Sequence, residues 1–523
     1  MVTDATKNIS GMVNRAFRMM LGTFASRILG LLREILTAGF FGATRSLDAF
    51  YVAYTLANLS RQLLAEGALS ASFVPVFSRV HRRDGPDAAK RLARQTLTIL
   101  LAVCVAVVLL GIAASPLLVR VIAPGFAPDQ ADLAVTLTRA LFPFLLLVSV
   151  AALAMGVLNS IGSFFVPAVA PAASNLAFIL ILLAFRRNMS IQVLVLAVLA
   201  GGACSMALQW IWSGRMGYRL LPARPDVRNP DLRETLSLFL PYAAGLSLNQ
   251  LNPVISRLLA SFLEGGIISA LNYADRIIQL PLGLFVIAIS QAVLPMLSRL
   301  DPADREEFGV FIRDALRFNL FVVLPAATGL ILVSGPIVHV LLMRGAFDAW
   351  AWATTSGALA CYAAGLPGIA CNTVLMRALY ARTMPRAAVR VTLFTVCANL
   401  LLGVALMHRF SYRGLALGTS CAFTGAAVLA AHLLRRDLGR PIGVLDLRWI
   451  ARLLPPIAAM AGGILLFENL LPYPPAAGFA PRLLWLAAVV ILGGLLYTVT
   501  TLALRCPEWL WIRNALAGKR ENR

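Results

Sequence analysis

The sequence has few charged side chains for its length. Charged residues make up 13% of the 523 positions, whereas hydrophobic residues make up 59% and the mean hydropathy is +0.80. Soluble domains carry about 25% charged residues, so there are too few charges here to cover a soluble surface of this size. We therefore expect the apolar residues to face lipid, in an all-α polytopic membrane protein.

Patterns that would support metal binding or covalent chemistry are also missing. The seven cysteines include no CxxC pair, and the four histidines lie far apart in the sequence. We expect no disulfide framework, no metal site and no cofactor. No nucleophile–base pair, phosphate-binding loop or DDxxD motif is present. This argues against an enzyme, including a membrane enzyme that acts on polyprenyl phosphates.

Lysine is nearly absent, although the chain is strongly basic. Three of the 46 basic residues are lysines, against 24 acidic residues, and the net charge is +22. Such an excess can indicate nucleic-acid binding. Here it is better explained by loop charges that set the membrane topology, and we expect no nucleic-acid partner.

Fourteen apolar segments are long enough to span a bilayer, which takes about 20 residues of helix. They cover 16–41, 48–78, 95–119, 133–158, 164–185, 191–213, 235–262, 267–298, 316–342, 350–376, 387–407, 414–434, 450–470 and 482–504. Arg27 and Arg33 interrupt the first segment, so we expect it to be retained rather than cleaved as a signal peptide. With both termini inside, 32 basic residues lie on the cytoplasmic side and 9 on the other. This bias predicts cytoplasmic termini.

The chain also repeats itself at an offset of 220 residues. "FVPVFSRV" at 73–80 matches "VLPMLSRL" at 293–300, and "SNL" at 174–176 is similar to "ANL" at 398–400 with a small slip. An offset of six segments leaves both copies in the same orientation, which is a parallel repeat. We predict an N-lobe (1–220), a C-lobe (221–440) and an addition of two helices with a tail (441–523). Two such lobes are typical of alternating-access transporters.

Ionisable residues within the apolar segments indicate where a substrate binds, because each costs about 2.5–3.5 kcal/mol to insert. They cluster in the first two segments and in the eighth: Arg27, Arg33, Glu34, Asp48, Arg61, Glu66, Asp275 and Arg276. Arg27 and Glu34 are two helical turns apart and share a face, with Gly30 between them. Arg257 lies nearer the end of its segment, so we expect it to snorkel or to pair with Glu264.

An excess of arginines in one cavity predicts an anionic substrate, and diphosphate fits the planar guanidinium fork. Asn58 adds an amide that could bind sugar or peptide. The residues alone leave several transporters open: an exporter of any polyprenyl-diphosphate-linked saccharide, including O-antigen or capsule units, or a multidrug–cation antiporter. The arginine excess argues against the antiporter, and a scaffolding role would leave the intramembrane charges unexplained.

Several motifs resemble the MurJ (MviN) family of lipid II flippases, within the multidrug, oligosaccharidyl-lipid and polysaccharide exporter superfamily. They are "SRILGLLRE" (26–34), "LDAFYVAY" (47–54), "NLSRQLLAEGALSASFVPVFS" (58–78), "APGF" (123–126) and "YADRIIQLPLG" (273–283). The resemblance covers essentially the whole chain and favours the peptidoglycan precursor over other saccharides.

The resemblance implies a flippase that carries undecaprenyl-diphosphate-linked disaccharide-pentapeptide to the periplasmic leaflet of the bacterial inner membrane. It implies that Arg27, Arg33, Arg61 and Arg276 line a central cavity, that Asp48 and Glu66 take part, and that the last two helices hold the lipid tail. Asp275 adjoins Arg276 in the same motif. The implied partners are this lipid and the membrane lipids; we expect a monomer and leave contact with the cell-wall synthesis machinery open.

The resemblance also suggests a sodium site in the second lobe, since some family members are thought to have one. Between Asp314 and Asp437 the only acid of this chain is Asp348, in a predicted external loop. Hard cations prefer charged oxygen ligands, so we expect no carboxylate sodium site there. We expect coupling to the membrane potential instead.

Overall fold

The computed structural model describes residues 26–62, 68–226, 228–247, 250–297, 300, 304–439, 442–443 and 446–509. Every regular element in these ranges is helical. The prediction of an all-α fold is therefore confirmed. Glu66, one of the predicted site residues, lies outside the described residues.

The chain divides into two compact units at Ser269/Ala270. The first unit holds α1 (26–41), α2 (Arg45–Arg61), α3 (Ala68–Arg83), α4 (Gly85–Ile122), α5 (Pro128–Leu141), α6 (Phe144–Ser160), α7 (Phe165–Ala184), α8 (Ile191–Arg215), α9 (Pro230–Ser247), α10 (Leu251–Ala260) and the first turn of α11 (Ile267–Pro281). The predicted division into two lobes and an addition stays a prediction.

The second unit continues α11 and contains the remaining helices. A π-helical turn at Leu282–Val286 leads into α12 (Ile287–Leu297), α13 (Arg305–Leu332), α14 (Ser334–Leu342), α15 (Ala349–Ala381), α16 (Pro385–Leu438), α17 (Leu447–Leu470) and α18 (Phe479–Ala503). The fourteen predicted apolar segments are mainly helical over their described residues, with turns inside two of them at 142–143 and 333, and their number as membrane spans stays a prediction. Ten helices of the described ranges are long and apolar enough to cross a membrane.

Helix α16 is a hairpin of two antiparallel arms. It has 54 residues, and the backbone at Ser411 leaves the helical region with φ 49° and ψ −132°. A Cβ on Gly414 would lie 2.2 Å from the Leu406 carbonyl oxygen, and one on Gly418 would lie 2.9 Å from the Gly403 nitrogen. Such close approach of the two arms requires glycine. The arms correspond to the predicted segments 387–407 and 414–434.

The first unit has a core of large apolar side chains from α3, α4 and α6. Phe73, Phe77, Leu92 and Leu153 are among its fully buried members. The opposite face of α4 exposes leucines such as Leu109 and Leu110, which suits a helix in contact with lipid. This packing holds α3, α4 and α6 in place. Beside them, α1, α2 and α7 bring their polar side chains together.

Candidate functional site

Arg33 and Glu34, adjacent on α1, form an ion pair within the first unit. Arg33 Nη2 lies 2.7 Å from Glu34 Oε1, and the two side chains are 22% and 8% exposed. Neighbouring residues on a helix point about 100° apart, so the long arginine side chain must turn toward the glutamate. Glu34 therefore serves as a partner that fixes one edge of the Arg33 guanidinium.

Helix α7 holds the same guanidinium from another side. Arg33 Nη1 donates to Asn175 Oδ1 at 3.2 Å, and the Arg33 guanidinium carbon lies 5.3 Å from the centre of the Phe178 ring. Asn175 Nδ2 in turn donates to the Ser26 carbonyl oxygen at 3.1 Å. Asn175 and Phe178 are one helical turn apart and so share a face of α7. Sequence reasoning did not include either residue in the site.

A close contact between α7 and α8 sets the position of this face. A Cβ on Gly201 of α8 would lie 2.8 Å from the Ser174 carbonyl oxygen, so only glycine allows the two backbones to approach so closely. Gly30 of α1 faces Asn175, where a Cβ would lie 3.6 Å from Nδ2, an ordinary contact distance. Gly30 thus lies against a neighbouring helix.

Arg33, Glu34 and Asn175 form a polar cluster, which Tyr51 and Arg257 extend toward α2 and α10. Tyr51 Oη donates to Glu34 Oε2 at 3.3 Å, and the Arg257 guanidinium carbon lies 5.9 Å from the Tyr51 ring centre. Arg257 Nη1 also donates to the Ile268 carbonyl oxygen at 3.3 Å. Arg257, which its position near the end of a segment places outside the predicted site, thus contacts the site through Tyr51. One sequence signal could have indicated this contact. Asp48 and Tyr51 lie one turn apart on α2, so a carboxylate and an aromatic ring share one face, and both attract a cation.

Asp48 is buried, and its carboxylate is occupied by hydrogen bonds. It is 2% exposed. The Gly266 backbone N–H donates to Oδ2 at 2.6 Å, and the Ser269 N–H and hydroxyl donate to Oδ1 at 2.7 and 2.6 Å. These donors belong to the start of α11, where the N–H groups have no partner within the helix and an anion is favoured. Arg257 interacts electrostatically with the same carboxylate.

The other predicted residues of the first unit are more open. The Arg27 side chain is exposed. Arg61 Nε donates to Asn58 Oδ1 at 2.7 Å, from one turn further along α2. The amide of Asn58 therefore orients Arg61 in the same way that Glu34 and Asn175 orient Arg33.

In the second unit, the side chains of Asp275 and Arg276 both form hydrogen bonds with Gln279. Gln279 Nε2 donates to Asp275 Oδ2 at 2.6 Å, and Arg276 Nη1 donates to Gln279 Oε1 at 3.3 Å. The three side chains form a polar group on α11. Within the described ranges, no three His, Cys, Asp or Glu side chains converge as a metal site would require.

An ionic contact outside the apolar segments ties the α3–α4 turn to the start of α9. Arg79 donates to Glu234, and Arg83 Nη2 lies 3.0 Å from Asp231 Oδ2. The hydrogen bond from Arg79 lowers the pKa of Glu234, and the hydrogen bond from Arg83 lowers the pKa of Asp84. Glu234 and Asp84 are therefore ionised at neutral pH. The contacts of Arg79 with Glu234 and of Arg83 with Asp231 join α3 to α9.

The sequence matches one protein family over most of its length. A family model described as "Lipid II flippase MurJ" matches residues 37–484. A Rhizobium tropici protein named "Probable lipid II flippase MurJ" is 36% identical over 455 residues, covering 85% of each chain. The "Lipid II flippase MurJ" of Burkholderia cenocepacia is 33% identical over 429 residues, covering 80% of this chain and 83% of the relative.

Solved structures share the fold. A "Lipid II flippase MurJ, inward closed conformation" superposes with a TM-score of 0.78 at 25% identity, covering 92% of this chain and 97% of that one. An inward-facing multidrug resistance transporter of the MATE family gives a TM-score of 0.67 at 16% identity, covering 79% and 94%. At that identity the second likeness concerns the fold alone.

Proposed function

The chain belongs to the MurJ family of lipid II flippases, and from this premise we propose that it moves the undecaprenyl-diphosphate-linked peptidoglycan precursor from the cytoplasmic to the periplasmic leaflet. The resemblance seen in the sequence motifs is thus confirmed at the level of the family. Members of this family transport a lipid and catalyse no covalent reaction. Beyond the lipid substrate, we propose that the protein works as a monomer.

The observation that carries the proposal is the oriented guanidinium of Arg33. A carboxylate, an amide and an aromatic face hold it from three directions, and exposed Arg27 lies six residues earlier on the same helix. Holding an arginine in place before the substrate arrives reduces the entropy lost on binding. The planar fork then offers paired N–H donors to phosphate oxygens.

We assign different roles to the predicted site residues. Arg27 and Arg33 bind the diphosphate, and Arg61, oriented by Asn58, contacts the rest of the headgroup. Asp275 and Arg276 keep their proposed role as substrate-binding residues. Glu34 orients Arg33. Asp48 has its oxygens filled by backbone and hydroxyl donors, so it acts through the segment that it holds rather than by touching the substrate. Glu66 keeps its proposed place in the site on its position within an apolar segment and on the family resemblance.

We place the polyprenyl tail along α17 and α18. One face of α18 is buried at intervals of four residues, and Tyr497 Oη donates to the Phe321 carbonyl oxygen of α13 at 2.6 Å. The other face exposes Leu484, Ile491 and Leu495. A helix that is anchored along one stripe and apolar along the other can line a hydrocarbon groove.

Both termini are proposed to be cytoplasmic, on the basis of the bias of 32 basic residues against 9. Single cysteines introduced in 79–94 and 435–452 should react only with a membrane-permeant reagent in intact spheroplasts. Cysteines in 120–132 should react with an impermeant one. Labelling of 79–94 by the impermeant reagent would reverse the proposed orientation.

Flipping in reconstituted vesicles tests the function and its driving force together. We expect the purified protein to move fluorescent lipid II between leaflets, and the rate to persist when sodium is replaced by potassium. Dissipating a membrane potential, which supplies about 2.3 kcal/mol per charge at 100 mV, should slow it. Absence of flipping in vesicles that contain folded protein contradicts the function; a strict sodium requirement contradicts only the coupling.

A further inference from the structure

We propose that Asn175 and Phe178 of α7 are positioning residues that aim the Arg33 fork at the substrate diphosphate. The inference rests on the proposed function and deepens it. It assigns to α7 a part in substrate recognition, although this helix contributes no charged residue to the site. The two residues would determine selectivity for diphosphate over a single phosphate.

The hydrogen bonds of the Arg33 guanidinium show how it is aimed. An arginine carries five N–H donors in a fixed plane. Nη1 gives one to Asn175 Oδ1 at 3.2 Å and Nη2 gives one to Glu34 Oε1 at 2.7 Å, so both terminal nitrogens are tethered. The tethers fix the rotation of the plane, and three N–H groups are left to donate to phosphate oxygens.

The Asn175 amide is itself held in place. Its Nδ2 donates to the Ser26 carbonyl oxygen at 3.1 Å, which turns Oδ1 toward Arg33. Ser26 and Arg33 are seven residues apart, two turns of α1, so the amide bridges both turns on one face. An aspartate here would keep the acceptor, but it would lose the donor and add a negative charge beside the anion site.

Phe178 fixes the tilt of the guanidinium plane. The ring centre lies 5.3 Å from the Arg33 guanidinium carbon, and Phe178 is 6% exposed. A cation over a desolvated ring face is stabilised electrostatically. The ring covers one face of the guanidinium, and the N–H groups point outward in its plane, so phosphate oxygens bind along the edge, where a fork holds two oxygens at once.

Two kinds of variant separate positioning from simple packing of α7 on α1. Asn175→Leu keeps the side-chain size but removes both hydrogen bonds, and Phe178→Leu keeps apolar volume but removes the ring face. Asn188→Leu, just beyond the end of α7, is the matched control because Asn188 is exposed. If Asn175→Leu does not fold, Phe178→Leu still tests the positioning role.

The experiment measures the affinity of the full-length protein in nanodiscs for undecaprenyl diphosphate and undecaprenyl monophosphate. We expect Asn175→Leu and Phe178→Leu to bind the diphosphate about tenfold more weakly, which corresponds to a loss of about 1.4 kcal/mol in binding free energy. Both variants should bind the monophosphate nearly as tightly as the wild type does. Combined with Arg33→Lys, neither should cause a further loss, because the fork is already gone. Equal losses for both lipids, or losses that add to Arg33→Lys, overturn the positioning role.

The same measurements separate this inference from the proposed function. Wild-type binding of the diphosphate by Arg33→Ala contradicts the diphosphate site itself. Loss of binding in Arg33→Ala together with wild-type binding in both α7 variants contradicts only the role of Asn175 and Phe178. Asn188→Leu should bind both lipids as wild type does.

Discussion

Arg27→Ala should abolish transport while the protein still inserts and accumulates. The Arg27 side chain is exposed and six residues before the held Arg33, so its loss removes a cation from the proposed anion site without opening a cavity in the core. Complementation of a strain depleted of its own flippase, with protein levels checked by immunoblot, measures the effect. We expect no growth at normal expression.

Two further variants make this result specific. Arg27→Lys keeps the charge but should also fail or be severely impaired, because an ammonium cannot form the two parallel bonds of a guanidinium fork. Arg186→Ala, in an exposed turn after α7, should be nearly silent. Normal growth of Arg27→Ala at normal expression would show that this arginine does not bind the diphosphate.

Asp48→Ala should destabilise the fold more than any other single change in the polar cluster. It leaves two backbone N–H groups and the Ser269 hydroxyl without their acceptor, in a site where Asp48 is 2% exposed. Each unsatisfied buried group costs about 1–3 kcal/mol, so we expect a total loss of roughly 3 kcal/mol or more. Thermal unfolding of the purified protein in detergent measures it.

Partial replacements test whether the carboxylate acts as a cap. Ser269→Ala removes one of the three bonds and should cost less. Asp48→Asn keeps one oxygen acceptor but turns an NH₂ toward one of the backbone donors, so it should lie between wild type and alanine. An unchanged unfolding temperature in Asp48→Ala, combined with lost substrate binding, would instead make Asp48 a substrate ligand.

The helices and the location of the site could be predicted from the sequence because both depend on local patterns. Apolar runs of sufficient length mark the spans, and the cost of charge in lipid marks Arg33, Glu34 and Asp48. Their partners could not be predicted, because these lie far away in the chain. Arg33 bonds Asn175, 142 positions on, and Asp48 bonds Gly266, 218 positions on.

Two details show where local reasoning was incomplete. Helical spacing places Glu34 on the same face as Arg27, but it gives no signal for the ion pair of Glu34 with adjacent Arg33, whose long side chain bends toward it. The internal repeat, in contrast, contained an unused signal. It aligned "SNL" at 174–176 with "ANL" at 398–400, and both asparagines bond across helices, Asn175 to Arg33 and Asn399 to Thr419.

Mass spectrometry of the lipid that co-purifies with the protein from native membranes tests the central claim most directly. We predict an undecaprenyl diphosphate that carries the disaccharide-pentapeptide headgroup, and we predict its loss in Arg27→Ala purified in parallel. A different saccharide on the same diphosphate, or a bound lipid that persists unchanged in Arg27→Ala, would contradict an arginine-bound peptidoglycan precursor as the substrate.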